Sequence, residues 1–264
     1  SLFRNLARVG WGLSRQERMR VQDARNAYNA LAEGKFDPGI HEDLVKVIPE
    51  VAAQVAGYAR SSLRRHGLHV LVDVGASTLD IAGFMLSEQE GEDRFSILEA
   101  GVFSLGAFQL ERDRLPALKN VGRDIIAPET YTAWTENMAQ RCRDPMRKVP
   151  SSVREYFPEA VRNEIRWSDI KDIDETFRHD CYKTIRALIA DLRNKRAPKG
   201  KRWEEGLPIF LAGGGKDVDV YQDAAEQVDY WRENYLTAAP FDIRDLPSLE
   251  DLTAPDLDAA NEHR

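Results

Sequence analysis

Two aspartates, Asp73 and Asp80, flank a run of small residues in the stretch "VLVDVGASTLDIAG" at 70–83. A carboxylate at the end of a buried strand is costly to desolvate unless a cation or hydrogen-bond donors meet it. Gly75, Ala76, Ser77 and Thr78 carry little bulk, so backbone N–H groups there can approach an anion closely. The two hydroxyls add donors. Carboxylates beside phosphate-binding amides suit Mg²⁺, which keeps most of its waters and takes oxygen ligands. The pattern predicts a phosphate cradle, with Asp73 holding a hydrated cation and Asp80 fixing the turn or sharing the metal. The plain alternative is a β-hairpin whose aspartates cap the turn. A second glycine cluster, Gly213, Gly214 and Gly215, follows the apolar run "LPIFLA" and leads through Lys216 into a helical pattern. Such glycines either end a strand and admit a closely packed helix, or let a nucleoside lie against the backbone. The cradle upstream favours the second reading. Lys216 then reaches a phosphate or a base edge; a solvated lysine at a helix start is the simpler reading.

Other reactive residues do not assemble into a pattern. His179, Asp180 and Cys181 are adjacent, so on a helix they point to different sides, and no partner pair suggests zinc. Cys142 and Cys181 lie far apart, which gives no disulfide framework and fits a reducing, cytoplasmic setting. The formal charge of −7 argues against a nucleic-acid surface, and the basic clusters "RSSLRRHG" and "RNKRAPKGKR" read as solvated loops. No apolar run approaches the roughly 18 residues of a membrane helix. The first residues are basic without a sustained apolar core, so no signal peptide is expected.

The elements that must position these residues follow from periodicity. Residues 17–33 space Val21, Ala24, Ala27, Leu31 and Ala32 as an amphipathic helix. "EVAAQVAGYARSSLRRHG" reads as a helix stopped at Gly67. "HVLVDV" is a strand covered on both faces. "LDIAGFML" and "RFSILEAGVFSL" follow it, joined by the polar turn "SEQEGED" with Gly91, as an antiparallel meander. From Gly106 to about Glu205 the pattern is helical, with a break expected at Pro116. The longest periodic segment there aligns Ile173, Phe177, Cys181, Ile185, Leu188 and Leu192 on one face. Trp203, Tyr230 and Trp231 are expected to pack. "FDIRDL" is an edge strand in a tail rich in proline and aspartate.

The order of these segments resembles the ATPase superfamily of actin, sugar kinases and the seventy-kilodalton heat-shock chaperones. "DVGASTLDIA" is similar to the family's second phosphate motif, "EAGVFSLGAFQLE" to the segment that follows it in the chaperones, and "IFLAGGGKDV" to the adenosine motif. "PEVAAQVAGYA" resembles the first connecting motif. Aligning the chaperones' Glu-Pro with Glu50-Val51 brings Tyr58 into register and makes Glu50 the residue that orients attacking water. The resemblance implies bound ATP with Mg²⁺. Asp73 and Asp80 would lie at the metal, 75–78 at the β- and γ-phosphates and 213–216 at the nucleoside. It also implies an α/β, ribonuclease-H-like actin-type lobe: a mixed sheet with an antiparallel meander and an inserted, mostly helical subdomain. The expected divisions are an N-terminal helical region at 1–48, the lobe at 49–106 and 206–264, and the insertion at 107–205. Nothing in 1–48 matches the first phosphate motif and no second connecting motif follows 215, so the expectation is a second lobe alone, with the first lobe of the same protein as its missing wall. Ala107 replaces a family glycine. Gly215-Lys216-Asp217 replaces the chaperones' Ser-Thr-Arg, which is nearer to plasmid-segregation and divisome actin relatives. Alternatives are a non-catalytic interaction or scaffold module with a protein client or self-assembly partner, and a small-molecule kinase of the same superfamily.

Overall fold

A computed structural model describes residues 2–14, 16–90, 92–144, 147–196, 203, 206–236 and 239–247. These fall into two compact units, one up to Gln54 and one from Val55.

In the first unit, helices α1 (Leu2–Leu13) and α2 (Val21–Ala32) bury Val9, Leu13 and Ala27 against each other, with Tyr28, Leu31 and Phe36 packed around them. Helix α3 (Glu50–Arg60) begins in this unit and continues into the second. It stops at Arg60, seven residues before the expected Gly67. The reason is Ser61, whose hydroxyl donates to Tyr58 O at 2.9 Å and accepts from Leu63 N at 3.2 Å. A serine that offers the backbone such local bonds turns the chain out of the helix.

The second unit is built on β1 (Gly67–Val74), β2 (Leu79–Gln89), β3 (Glu92–Phe103), β4 (Pro208–Ala212) and β5 (Asp242–Asp245). Their order is β3-β2-β1-β4-β5. The first three pair antiparallel, and β1, β4 and β5 run parallel. A meander continued by parallel strands is the ribonuclease-H-like mixed α/β topology. Gly91, expected at the tip of the β2–β3 hairpin, lies outside the described residues, as do the basic loop at 197–202 and the tail from 248.

Helices α4 (Ala107–Ile125), α5 (Pro128–Arg141), α6 (Glu159–Arg162), α7 (Trp167–Ile170) and α8 (Glu175–Asp191) fill the sequence between β3 and β4; α9 (Asp219–Tyr235) follows β4. The helical stretch divides in its packing. Leu118, Ile126, Met138, Phe157, Ile165 and Ile170 form a core of their own. Phe177, Cys181, Ile185, Leu188 and Leu192 instead join Val70, Val72, Leu79, Ile81 and Ile209 of the sheet, together with Tyr221 and Val228 of α9. Two expectations need correction. Pro116 does not break α4, which runs through it. Pro116 and Arg112 both lie on the exposed side, so the carbonyl that loses its partner faces water, while buried Leu110 and Leu118 hold the helix on either side. Tyr230 does not pack: it is 68% exposed on α9, whereas Trp203 is buried and Trp231 lies partly buried against the core. Among the described residues no helix is long and apolar enough to cross a membrane.

The other face of the sheet carries His69, Phe84 and Phe210, with Tyr58 of α3 against them. His69 is 1% exposed. Its Nδ1 lies 3.1 Å from Gly67 O, a pure acceptor, so Nδ1 carries the proton. Nε2 then accepts from the Tyr58 hydroxyl at 3.1 Å, and that hydroxyl accepts from Arg65 N at 3.0 Å. Burial, with the Arg244 and Arg65 charges nearby, lowers the imidazole pKa to about 4. In the unfolded chain His69 takes a proton near pH 6.5, which the native state resists. Its stabilising effect is therefore complete above about pH 6.5 and lost as pH falls towards 4, to the extent of about 3 kcal/mol. Urea midpoints taken between pH 7 and 4.5 should show this fall in the wild type and a flatter profile in His69→Phe. Parallel profiles would refute the buried neutral imidazole.

Candidate functional site

β1 is the strand from which the chain leaves in both directions: β2 flanks it on one side and β4 on the other. The loops that follow β1 and β4 therefore emerge together at the carboxyl ends of two parallel neighbours, where open α/β sheets place their ligands. Asp73 stands opposite Asp80 on β2 and Ala212 on β4. It is 9% exposed.

The turn at 75–78 is closed by Gly75 N donating to Thr78 O at 2.9 Å. Its carbonyls are tied to the start of α4. Gly106 N donates to Ser77 O at 3.3 Å, Ala107 N to Gly75 O at 3.0 Å and Phe108 N to Ala76 O at 2.8 Å. In a trans peptide the N–H points opposite to the C=O of the same plane. Fixing the carbonyls of 75, 76 and 77 on α4 therefore turns the N–H groups of Ala76, Ser77 and Thr78 away from it, as three consecutive donors. A row of amides of this kind can approach an anion. The approach requires Gly106: a Cβ there would lie 2.4 Å from Ser77 C and Thr78 N.

The glycines at 213–215 meet this turn directly. Gly213 has φ +86°, and a Cβ on it would lie 2.3 Å from Asp73 Oδ1. Gly215 N donates to Val74 O at 3.0 Å. Gly75, Ala76, Gly214 and Gly215 line one cavity of about 170 Å³, together with Ala107, Phe108, Arg147, Lys148 and Val149. The structure thus brings the turn and the glycine shelf together. Lys216 lies beside them with its amine on the Asp245 carboxylate and 3.7 Å from Asp217. Glu50 is exposed at the start of α3 and belongs to the first unit.

Asp73 and Asp80 occupy directly paired positions on one face of the sheet. Like charges opposite one another destabilise a ladder, and Asp80 Oδ1 is buried with no hydrogen-bond partner among the described residues. An unsatisfied acceptor beside a second carboxylate fits a cation held partly through water. Among the described residues no group of three or more His, Cys, Asp or Glu could cage a metal.

No local pattern in the sequence marks Arg147 and Lys148. They reach the cavity through tertiary bonds. Arg147 pairs with Glu111 of α4 and donates from Nε to Arg141 O at 2.6 Å. Glu111 is 1% exposed and also accepts from the Tyr156 hydroxyl at 2.8 Å. Burial, with Glu111 nearby, pushes the Cys142 thiol up to about 11, so it stays protonated and unreactive at neutral pH.

No protein-family model matches the sequence, and no curated protein matches it. Among solved structures the chain is similar to one described as a pCBH ParM non-polymerisable quadruple mutant, at 15% identity and a TM-score of 0.41, over 72% of this chain and 49% of that one. The chain spans about half the length of that structure. The fold assignment rests on the strand order and directions described above.

Proposed function

We propose that this chain is the nucleotide-binding lobe of an actin-type ATPase and holds Mg-ATP between the turn at 75–78 and the glycines at 213–215. The observation that carries the reading is the shared cavity, floored by both glycine-rich segments at the carboxyl ends of β1 and β4. The amides of 76–78 and the hydroxyls of Ser77 and Thr78 bind the β- and γ-phosphates. The shelf and Lys216 border the nucleoside. Asp73, with Asp80 opposite, is the group to hold hydrated Mg²⁺, whose charge offsets that of the phosphates. Glu50 is proposed to orient the attacking water. A cavity of about 170 Å³ is smaller than the roughly 300–1,000 Å³ of a complete ligand pocket, in keeping with one wall of a cleft that another lobe completes. The cytoplasm is the setting we infer, in accord with two free cysteines.

Calorimetry with ATP tests the reading. Binding in the presence of Mg²⁺ is expected to weaken roughly 10- to 100-fold in Asp73→Ala and on chelation, the size of loss seen when a group behind a metal's waters is removed. No heat from the wild type, or equal affinity in Asp73→Ala, would end it. Phosphate release measured alongside separates an ATPase from a binding module: steady release marks the enzyme, binding without release the module.

A further inference from the structure

The carboxylates that mark the site in the sequence do not line the cavity; its two charged lining residues are both cations, Arg147 and Lys148. They differ in how firmly they are held. Arg147 has a side chain only 10% exposed and is committed to Glu111. Lys148 has a side chain 84% exposed, and its amine lies 3.3 Å from the Asp217 carboxylate just past the glycine shelf. That contact spans from one wall of the cavity to the other.

An exposed lysine–carboxylate pair is worth little and is screened by salt, so the contact opens readily. Asp217 does not lose its only cation when it opens, because the Lys216 amine stands 3.7 Å from its other oxygen. A polyphosphate in the cavity presents more negative charge than one solvated carboxylate, and it does so where water is partly excluded. We propose that Lys148 is the exchangeable cation of the site: it rests on Asp217 without ligand and transfers to the phosphates of a bound nucleotide, closing the segment at 147–149 over them. The inference rests on the nucleotide reading above and adds its selectivity device. Lys148 distinguishes a nucleoside polyphosphate from a bare nucleoside, and Asp217 sets the threshold by competing for it.

Calorimetry of the chain with Mg-ATP and with adenosine decides the matter. Lys148→Gln is expected to weaken Mg-ATP roughly tenfold, the value of a hydrogen bond to a charged group, and adenosine less than twofold. Lys148→Arg should recover most of the loss. Asp217→Asn should tighten Mg-ATP about two- to threefold by freeing the lysine, a gain that a merely structural role would not produce. Equal loss for ATP and adenosine in Lys148→Gln overturns the proposal, as does unchanged ATP affinity in both Lys148→Gln and Asp217→Asn. A wild type that binds neither ligand removes the nucleotide reading itself, and this inference with it.

Discussion

Gly213→Ala is expected to lower the unfolding free energy by about 2–5 kcal/mol. Two costs combine. The residue sits at φ +86°, a left-handed conformation that a side chain adopts only at about 1–2 kcal/mol. The new Cβ would also lie 2.3 Å from Asp73 Oδ1 and 2.4 Å from Val74 O. Neither neighbour can step aside cheaply. Both belong to the end of β1, where Val74 is fully buried, and Val74 O accepts from Gly215 N. Forcing a methyl into such packing adds roughly 1–3 kcal/mol. The next residue is the control. A Cβ on Gly214 meets nothing within 4 Å and its φ is ordinary, so Gly214→Ala should change stability by less than about 0.5 kcal/mol. Urea denaturation followed by far-ultraviolet circular dichroism measures both. If the two variants unfold at the same midpoint, the contact between Asp73 and the glycine shelf is wrong, and the cavity floor is wrong with it.

What the sequence reveals of this fold is what local chemistry dictates. The nearly continuous apolar run at 70–74, rich in valine, requires cover on both faces, and β1 has it: helices α8 and α9 on one side, Tyr58 and its aromatic neighbours on the other. The meander follows from period-two patterning and short turns, and the apolar stripe on α8 from its 3.6-residue spacing. Asp73 and Gly213 are legible because a charge at the end of a buried strand and a cluster of glycines are both costly without a reason. Elements decided by distant contacts are not legible. Helix α1 contains Gly10 and Gly12, which lower its propensity, and leaves Phe3, Leu6 and Trp11 exposed, so its own pattern does not mark its bounds within the helical region expected at 1–48. Pro116 reads as a break until its solvent-facing position is known. Lys148 is invisible because the segment around it is carried to the cavity by Arg114 and Glu111, far away in sequence.

That dependence makes Arg114→Ala the second large effect. Arg114 is 1% exposed, yet every edge of its guanidinium is used. It donates to Asp174 at 2.8 and 2.6 Å, to Pro150 O at 2.9 Å and to Ser151 O at 3.4 Å, and it lies 5.7 Å from the centre of the Tyr156 ring. Truncation strands a carboxylate and two carbonyls beside a void, and removing one member of a buried pair costs about 3–5 kcal/mol. Because Asp174 is partly exposed and can recover some hydration, the lower end is expected. Arg114→Met with Asp174→Asn keeps the volume and removes the stranded charge, so the double variant should recover at least half the loss. Alanine and the double variant must differ by more than about 1 kcal/mol in urea midpoint energies, or the cost is cavity alone. Stability is not the only readout. Arg114 holds the carbonyls of 150 and 151, directly after the residues that wall the cavity. Its loss should therefore weaken Mg-ATP binding in protein that is still folded at low temperature, although Arg114 does not line the cavity itself. Full affinity in folded Arg114→Ala would mean that the segment at 147–149 is positioned by Glu111 and Arg147 without it.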